Sequence, residues 1–136
     1  MSDTKHQGQC LCGAVTYKIS ADPMMVGHCC CKDCQRSTGA AHMTAAMFPV
    51  DAFSVDGTTK QHVKTADSGN VVTRHFCPEC GGRLFADNSG TEGTRAVMVG
   101  SLDNPDAITP MVIVYGDSRL SWDMHDENLT VFPGMA

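Results

Sequence analysis

The chain has 136 residues, a formal charge of −5, and a composition that is 42% hydrophobic and 18% charged. That length buries a sizeable core without staples and predicts one domain over residues 1–136. The acidic balance disfavours nucleic acid and anionic membranes as partners, because both need a basic face. No apolar run approaches the roughly 20 residues of a membrane span.

The opening "MSDTKHQGQC" is polar and lacks the apolar core of a signal peptide, which predicts a cytoplasmic protein. "GAVTYKIS" sets Val15, Tyr17 and Ile19 against Ala14, Thr16 and Lys18, the alternation of a half-buried strand. "HCCCKDCQRSTGAA" has few β-branched residues and predicts a turn or short helix stopped at Gly39. "MTAAMFPV" predicts a strand interrupted by Pro49, and "AFSVDG" a short strand ending in the turn Asp56-Gly57.

Further on, "QHVKTADSGNVVTRHFC" predicts two strands around the turn Asp67-Ser68-Gly69-Asn70. "RLFAD", "RAVMVGSL" and "MVIVYG" are three more strand candidates. Turn signals at such short intervals predict a mainly β fold. The tail "SWDMHDENLTVFPGMA" holds the only tryptophan. It reads as a loop packed on the body, with Trp122 closing the core.

Eight cysteines fall into three groups. In a reducing cytosol, thiols at such spacings point to metal or catalysis rather than to disulfides. "CPECGG" holds Cys77 and Cys80 on a tight turn, where Gly81 permits positive φ and backbone N–H groups can face the sulfurs. "CLCG" holds Cys10 and Cys12 and leads straight into a strand. Together these two elements supply four thiolates, a closed set whose role is structural.

The middle group is "HCCCKDC". Cys31 and Cys34 lie three apart, on one side of a helical turn, and Cys29 converges with Cys31. Cys30 points away in extended geometry. Three thiolates leave a fourth zinc position open, the mark of a catalytic rather than a structural site. A site this rich in sulfur favours a soft fourth ligand. The predicted chemistry is the making or breaking of a carbon–sulfur bond at a substrate thiol.

"GQCLCGAVTY", "HCCCKDCQRSTGA", "RHFCPECGGRLF", "GSLDNP" and "SWDMHDENLTVF" occur in this order over nearly the whole chain. In these motifs the sequence resembles the glutathione-dependent formaldehyde-activating enzyme family, which also includes centromere protein V. The resemblance implies a β-tent of small antiparallel sheets pinned by zinc, with at most short helices. It implies two zinc ions: a structural one on Cys10, Cys12, Cys77 and Cys80, and a catalytic one on Cys29, Cys31 and Cys34. It implies a carbon–sulfur lyase that joins formaldehyde, or a small aldehyde, to glutathione or a similar thiol. Cys30 stands where relatives usually carry histidine, and His28 precedes the cluster instead.

Other readings compete. The same scaffold serves as a binding module without turnover, and a cysteine cluster can act as a redox or zinc sensor. Arg36 is either a carboxylate anchor or a solvated residue. Arg74 reads as pairing across its hairpin. His28 and His75 read as structural histidines with satisfied hydrogen bonds, or as proton carriers beside the cysteines.

Overall fold

The computed structural model describes residues 3–135. Eleven strands run in chain order: β1 (His6–Gln9), β2 (Thr16–Ile19), β3 (Met25–Cys29), β4 (Met43–Pro49), β5 (Phe53–Asp56), β6 (Lys60–Thr65), β7 (Val71–Phe76), β8 (Arg83–Asn88), β9 (Thr94–Met98), β10 (Val112–Val114) and β11 (Thr130–Val131). The one α-helix among the described residues, α1 (Lys32–Thr38), lies between β3 and β4. The remaining helical pieces are short 3₁₀ turns. The expectation of a mainly β protein with at most short helices is met.

The strands form two sheets. One has three strands, ordered β1-β2-β5, and is antiparallel. The other has eight, ordered β11-β10-β3-β4-β9-β8-β7-β6. Its pairings are antiparallel from β3 to β6, but β10 runs parallel to β3 and β11 runs parallel to β10. That parallel edge was not legible locally, because it joins segments far apart in the chain.

The alternation read in "GAVTYKIS" is what holds the two sheets together. Val15, Tyr17 and Ile19 are buried, and Lys18 is exposed. They join Val26, Ala46, Phe48, Leu84, Phe85 and Val97 of the larger sheet in one core. Tyr17 keeps its hydroxyl satisfied against Ser101 Oγ at 2.6 Å, so a large ring is buried without an orphaned polar atom.

Two glycines act through geometry. Gly39 ends α1 with φ 70°, its N–H reaching the Gln35 carbonyl at 2.8 Å, as predicted for a left-handed cap. Gly27 in β3 faces β10, where a Cβ would stand 2.8 Å from Val112 Cγ2. The bare backbone at Gly27 lets the parallel strand come alongside.

The tail departs from expectation. It is not simply a loop: β11 adds a strand beyond β10, and the Tyr115 N–H reaches the Gly134 carbonyl at 2.8 Å. Trp122 does not close the core; it is 69% exposed. The core is already filled by Tyr17, Phe48 and Phe85, and a short polar turn holds the indole outside. Truncating Phe48 to alanine should cost about 3–5 kcal/mol, whereas Trp122→Ala should stay within about 0.5 kcal/mol of the parent. Denaturant midpoints of the two variants check this contrast.

Candidate metal centres

Two sulfur sets gather at the ends of strands. Cys10 and Cys12 follow β1, and Cys77 and Cys80 follow β7. One sulfur from each of the four lies within 4.8 Å of all the others. Two of the edges, Cys10–Cys12 and Cys12–Cys77, measure 3.8 Å. A tetrahedral ion with metal–sulfur bonds of about 2.3 Å has sulfur–sulfur edges of about 3.8 Å. The donor set therefore fits zinc in both chemistry and spacing.

Backbone N–H groups point at these sulfurs: Val15 to Cys10, Glu79 to Cys77, and Gly82 to Cys80, at 3.3–3.4 Å. Such donors favour thiolate over thiol. The backbone N–H groups of Cys12 and then Gly82 pull the Cys80 thiol down to about 6. All eight cysteines are free thiols.

The second set is Cys29, Cys31 and Cys34, again within 4.8 Å of one another. Cys29 ends β3, Cys31 is the N-cap of α1, and Cys34 lies in the helix's first turn. The Cys31 sulfur accepts the Cys34 N–H at 3.3 Å. The cap interaction that starts the helix thus also fixes a donor atom. Hydrogen bonds from Cys29 and then Cys34 draw the Cys31 thiol down to about 2, and the same contact with Cys31 drives Cys29 upward.

Among the described residues, no fourth Cys, His, Asp or Glu joins this trio. Cys30, fully buried, turns away from it and groups instead with Asp123 and His125. The spacing argument had separated Cys30 from its neighbours, and the strand geometry does so too. His28 likewise faces away from the trio. Its Nδ1 meets Thr44 Oγ1 at 2.7 Å, and burial, followed by the nearby His42 and His125, pushes its pKa down to about 4. His75 is buried, with Nδ1 on Thr59 Oγ1 at 3.0 Å and its ring stacked on Phe85.

A cleft of about 350 Å³ shares α1 with the trio and is lined by Asp33 and Ser37 of that helix, His62 and Lys64 of β6, Arg74 and Phe76 of β7, and Arg83. The β6–β7 register sets His62 opposite Arg74, and residues two apart on each strand share that face. Lys64 pairs with Asp33 at 2.6 Å, and Arg83 donates to the Ser37 carbonyl at 3.2 Å. Arg74 lies opposite His62 across its hairpin and forms no ion pair among the described residues. The Arg83 Nε is buried without a partner. With Lys64 offset by Asp33, Arg74 and Arg83 leave the cleft positive. Arg36 is exposed and does not line it.

Sequence reasoning missed Arg83 and Tyr115. Tyr115 is the one non-glycine residue with positive φ among those described, at 54°, a strained conformation of the kind found at functional sites. Burial raises its pKa, and the negative charge of Cys29, Cys31 and Cys34 raises it further. Arg83 lies within "RHFCPECGGRLF" and Tyr115 just after β10, but the place of each is set by strand pairing rather than by spacing.

Taken together, fold and sulfur sets define a small β protein organised around clustered thiols. A family model described as glutathione-dependent formaldehyde-activating enzyme matches residues 5–118, and the chain belongs to that family. No curated protein matches the sequence significantly. The fold is similar to the crystal structure of a Rhodobacter sphaeroides protein, with a TM-score of 0.58 and 19% identity over 76% of this chain and 91% of that one. Among the described residues, no helix is long and apolar enough to cross a membrane.

Replacing Cys12 with serine removes one of four clustered donors. It should lower bound zinc by one equivalent and reduce thermal stability, whereas Cys30→Ser should leave the thiolate-bound metal unchanged. Elemental analysis of the purified variants checks both outcomes.

Proposed function

We propose that this protein is a zinc-dependent carbon–sulfur lyase that forms and cleaves adducts between glutathione, or a similar anionic thiol, and formaldehyde or a small aldehyde. The observation that carries this reading is the three-cysteine set without a fourth protein donor among the described residues, on the helix that also lines a positive cleft. Family membership supports the same chemistry. In this reading Cys10, Cys12, Cys77 and Cys80 hold a structural zinc, and Cys29, Cys31 and Cys34 hold a catalytic one. The catalytic zinc would supply an open coordination position and lower the pKa of a thiol placed there.

The chain's own residues do the rest. Glutathione carries two carboxylates, and Arg74 and Arg83 offer fixed cations for them. Those contacts would orient the thiol toward the trio and away from solvent. In the forward direction the thiol sulfur bonds to the aldehyde carbon. The carbonyl π pair moves to oxygen, which then takes a proton. Burial and the negative charge of the cysteines keep Tyr115 protonated, so its hydroxyl would donate at that oxygen, the proton released by the substrate thiol would restore the phenol through solvent, and the reverse direction would run the same transfers backwards.

The open fourth position favours this reading over a binding module that does not turn over. Its test is the exchange rate between formaldehyde and the glutathione adduct, with and without protein. Acceleration over the spontaneous rate is expected, and Cys34→Ser should remove at least about a hundredfold of it, as should Tyr115→Phe without loss of metal. Arg74→Ala should raise KM for glutathione about tenfold and leave a neutral thiol such as 2-mercaptoethanol unaffected. No acceleration with any thiol and aldehyde pair would defeat the proposal.

A further inference from the structure

Outside both sulfur sets, three imidazoles converge. His28 lies in β3, His42 stands just before β4, and His125 belongs to the tail. One ring nitrogen of each lies within 4.8 Å of one from each of the others. The ring centroids are 4.6–4.8 Å apart. The tail segment brings His125 onto the β3–β4 ladder, where His28 faces Thr44 across the pairing.

Three features distinguish this from accidental crowding. Each ring has one nitrogen committed to an oxygen: His28 to Thr44 Oγ1 at 2.7 Å, His42 to Asp123 Oδ2 at 2.8 Å, and His125 to the same Oδ2 at 3.0 Å. The second nitrogen of each ring, His28 Nε2, His42 Nε2 and His125 Nδ1, makes no hydrogen bond within the described residues, and an oxygen on the first nitrogen is the support that metal-binding histidines ordinarily receive. Asp123 and His125 are nearly buried, with side chains 9% and 5% exposed, while His42 is 26% exposed and leaves a path from solvent. The three ring centroids lie within 4.8 Å of one another, close enough for one cation to take a nitrogen from each ring.

We propose that His28, His42 and His125 form a third metal site, for a divalent first-row transition ion such as zinc, with Asp123 and Thr44 orienting the ligands. Imidazole suits such ions, and three histidines leave a coordination position free. Neighbouring strand residues face opposite sides of a sheet, so His28 and Cys29 serve different sites. Cys30, on the same face as His28, lies next to Asp123 and His125 and is a neighbour of this centre rather than of the cysteine trio. The metal would fasten the tail across the β3–β4 ladder.

Cobalt titration of the full chain tests the site independently of activity. Cobalt on cysteine gives strong thiolate charge-transfer absorption; cobalt on three histidines gives only weak ligand-field bands. Two equivalents with charge transfer and a third without it are expected. His42→Ala should remove the third alone. Asp123→Asn keeps all three rings and should weaken that third equivalent about 10–100-fold. Hydrogen exchange across residues 121–129 should slow when zinc fills the site. Saturation at two equivalents in the parent protein would overturn the proposal. So would a third equivalent that persists in His42→Ala, or charge-transfer bands that fall with it.

Discussion

Everything at the centre of this molecule depends on one property of an extended chain: adjacent side chains leave it on opposite sides. Along "HCCCKDC" that property divides a crowded stretch into two sets. Cys29 and Cys31 turn one way and are joined by Cys34 through the first turn of α1. His28 and Cys30 turn the other way, toward Asp123 and the tail. Consecutive cysteines are therefore not redundant. They present different chemistry to the two sides of the short extended segment that links β3 to α1.

The four-sulfur set near Cys12 and Cys77 works on a larger scale. It joins the end of β1, in the small sheet, to the turn after β7, in the large one. Metal binding at such a set couples directly to folding, because the unfolded chain holds no preformed site. The apolar contact between β2 and the large sheet acts in the same direction. One link is local and directional, and the other is diffuse. Together they hold the two sheets in register, and the cleft beside Cys34 depends on that register.

Much of this was legible in the sequence, and the reasons differ by element. β2 showed itself through Val15, Tyr17 and Ile19, because one face is buried and the other wet. The helix stop at Gly39 and the hairpin turn at residues 67–70 rest on local backbone chemistry. The cysteine groups were visible because their spacing already encodes convergence. β1 and β3 were not recognised. "HQGQ" and "MVGHC" are short, interrupted by glycine and only partly buried, so their identity comes from their partners. The same holds for Arg74 and Arg83, whose cleft exists only once β6, β7 and α1 are assembled. Trp122 was misplaced because size and apolarity say where a ring prefers to be, not whether space remains for it.

Gly27 gives the architecture an unexpected weak point. It touches no thiol and no imidazole, yet its missing side chain is what admits β10. β10 in turn carries Tyr115 at its end and β11 at its flank, and the segment between them bears Asp123 and His125. The carboxyl-terminal segment from β10 onward therefore hangs from a notch one methyl group deep. Tolerance to mutation at this position should resemble that of a ligand cysteine, although the residue has no chemistry of its own to lose.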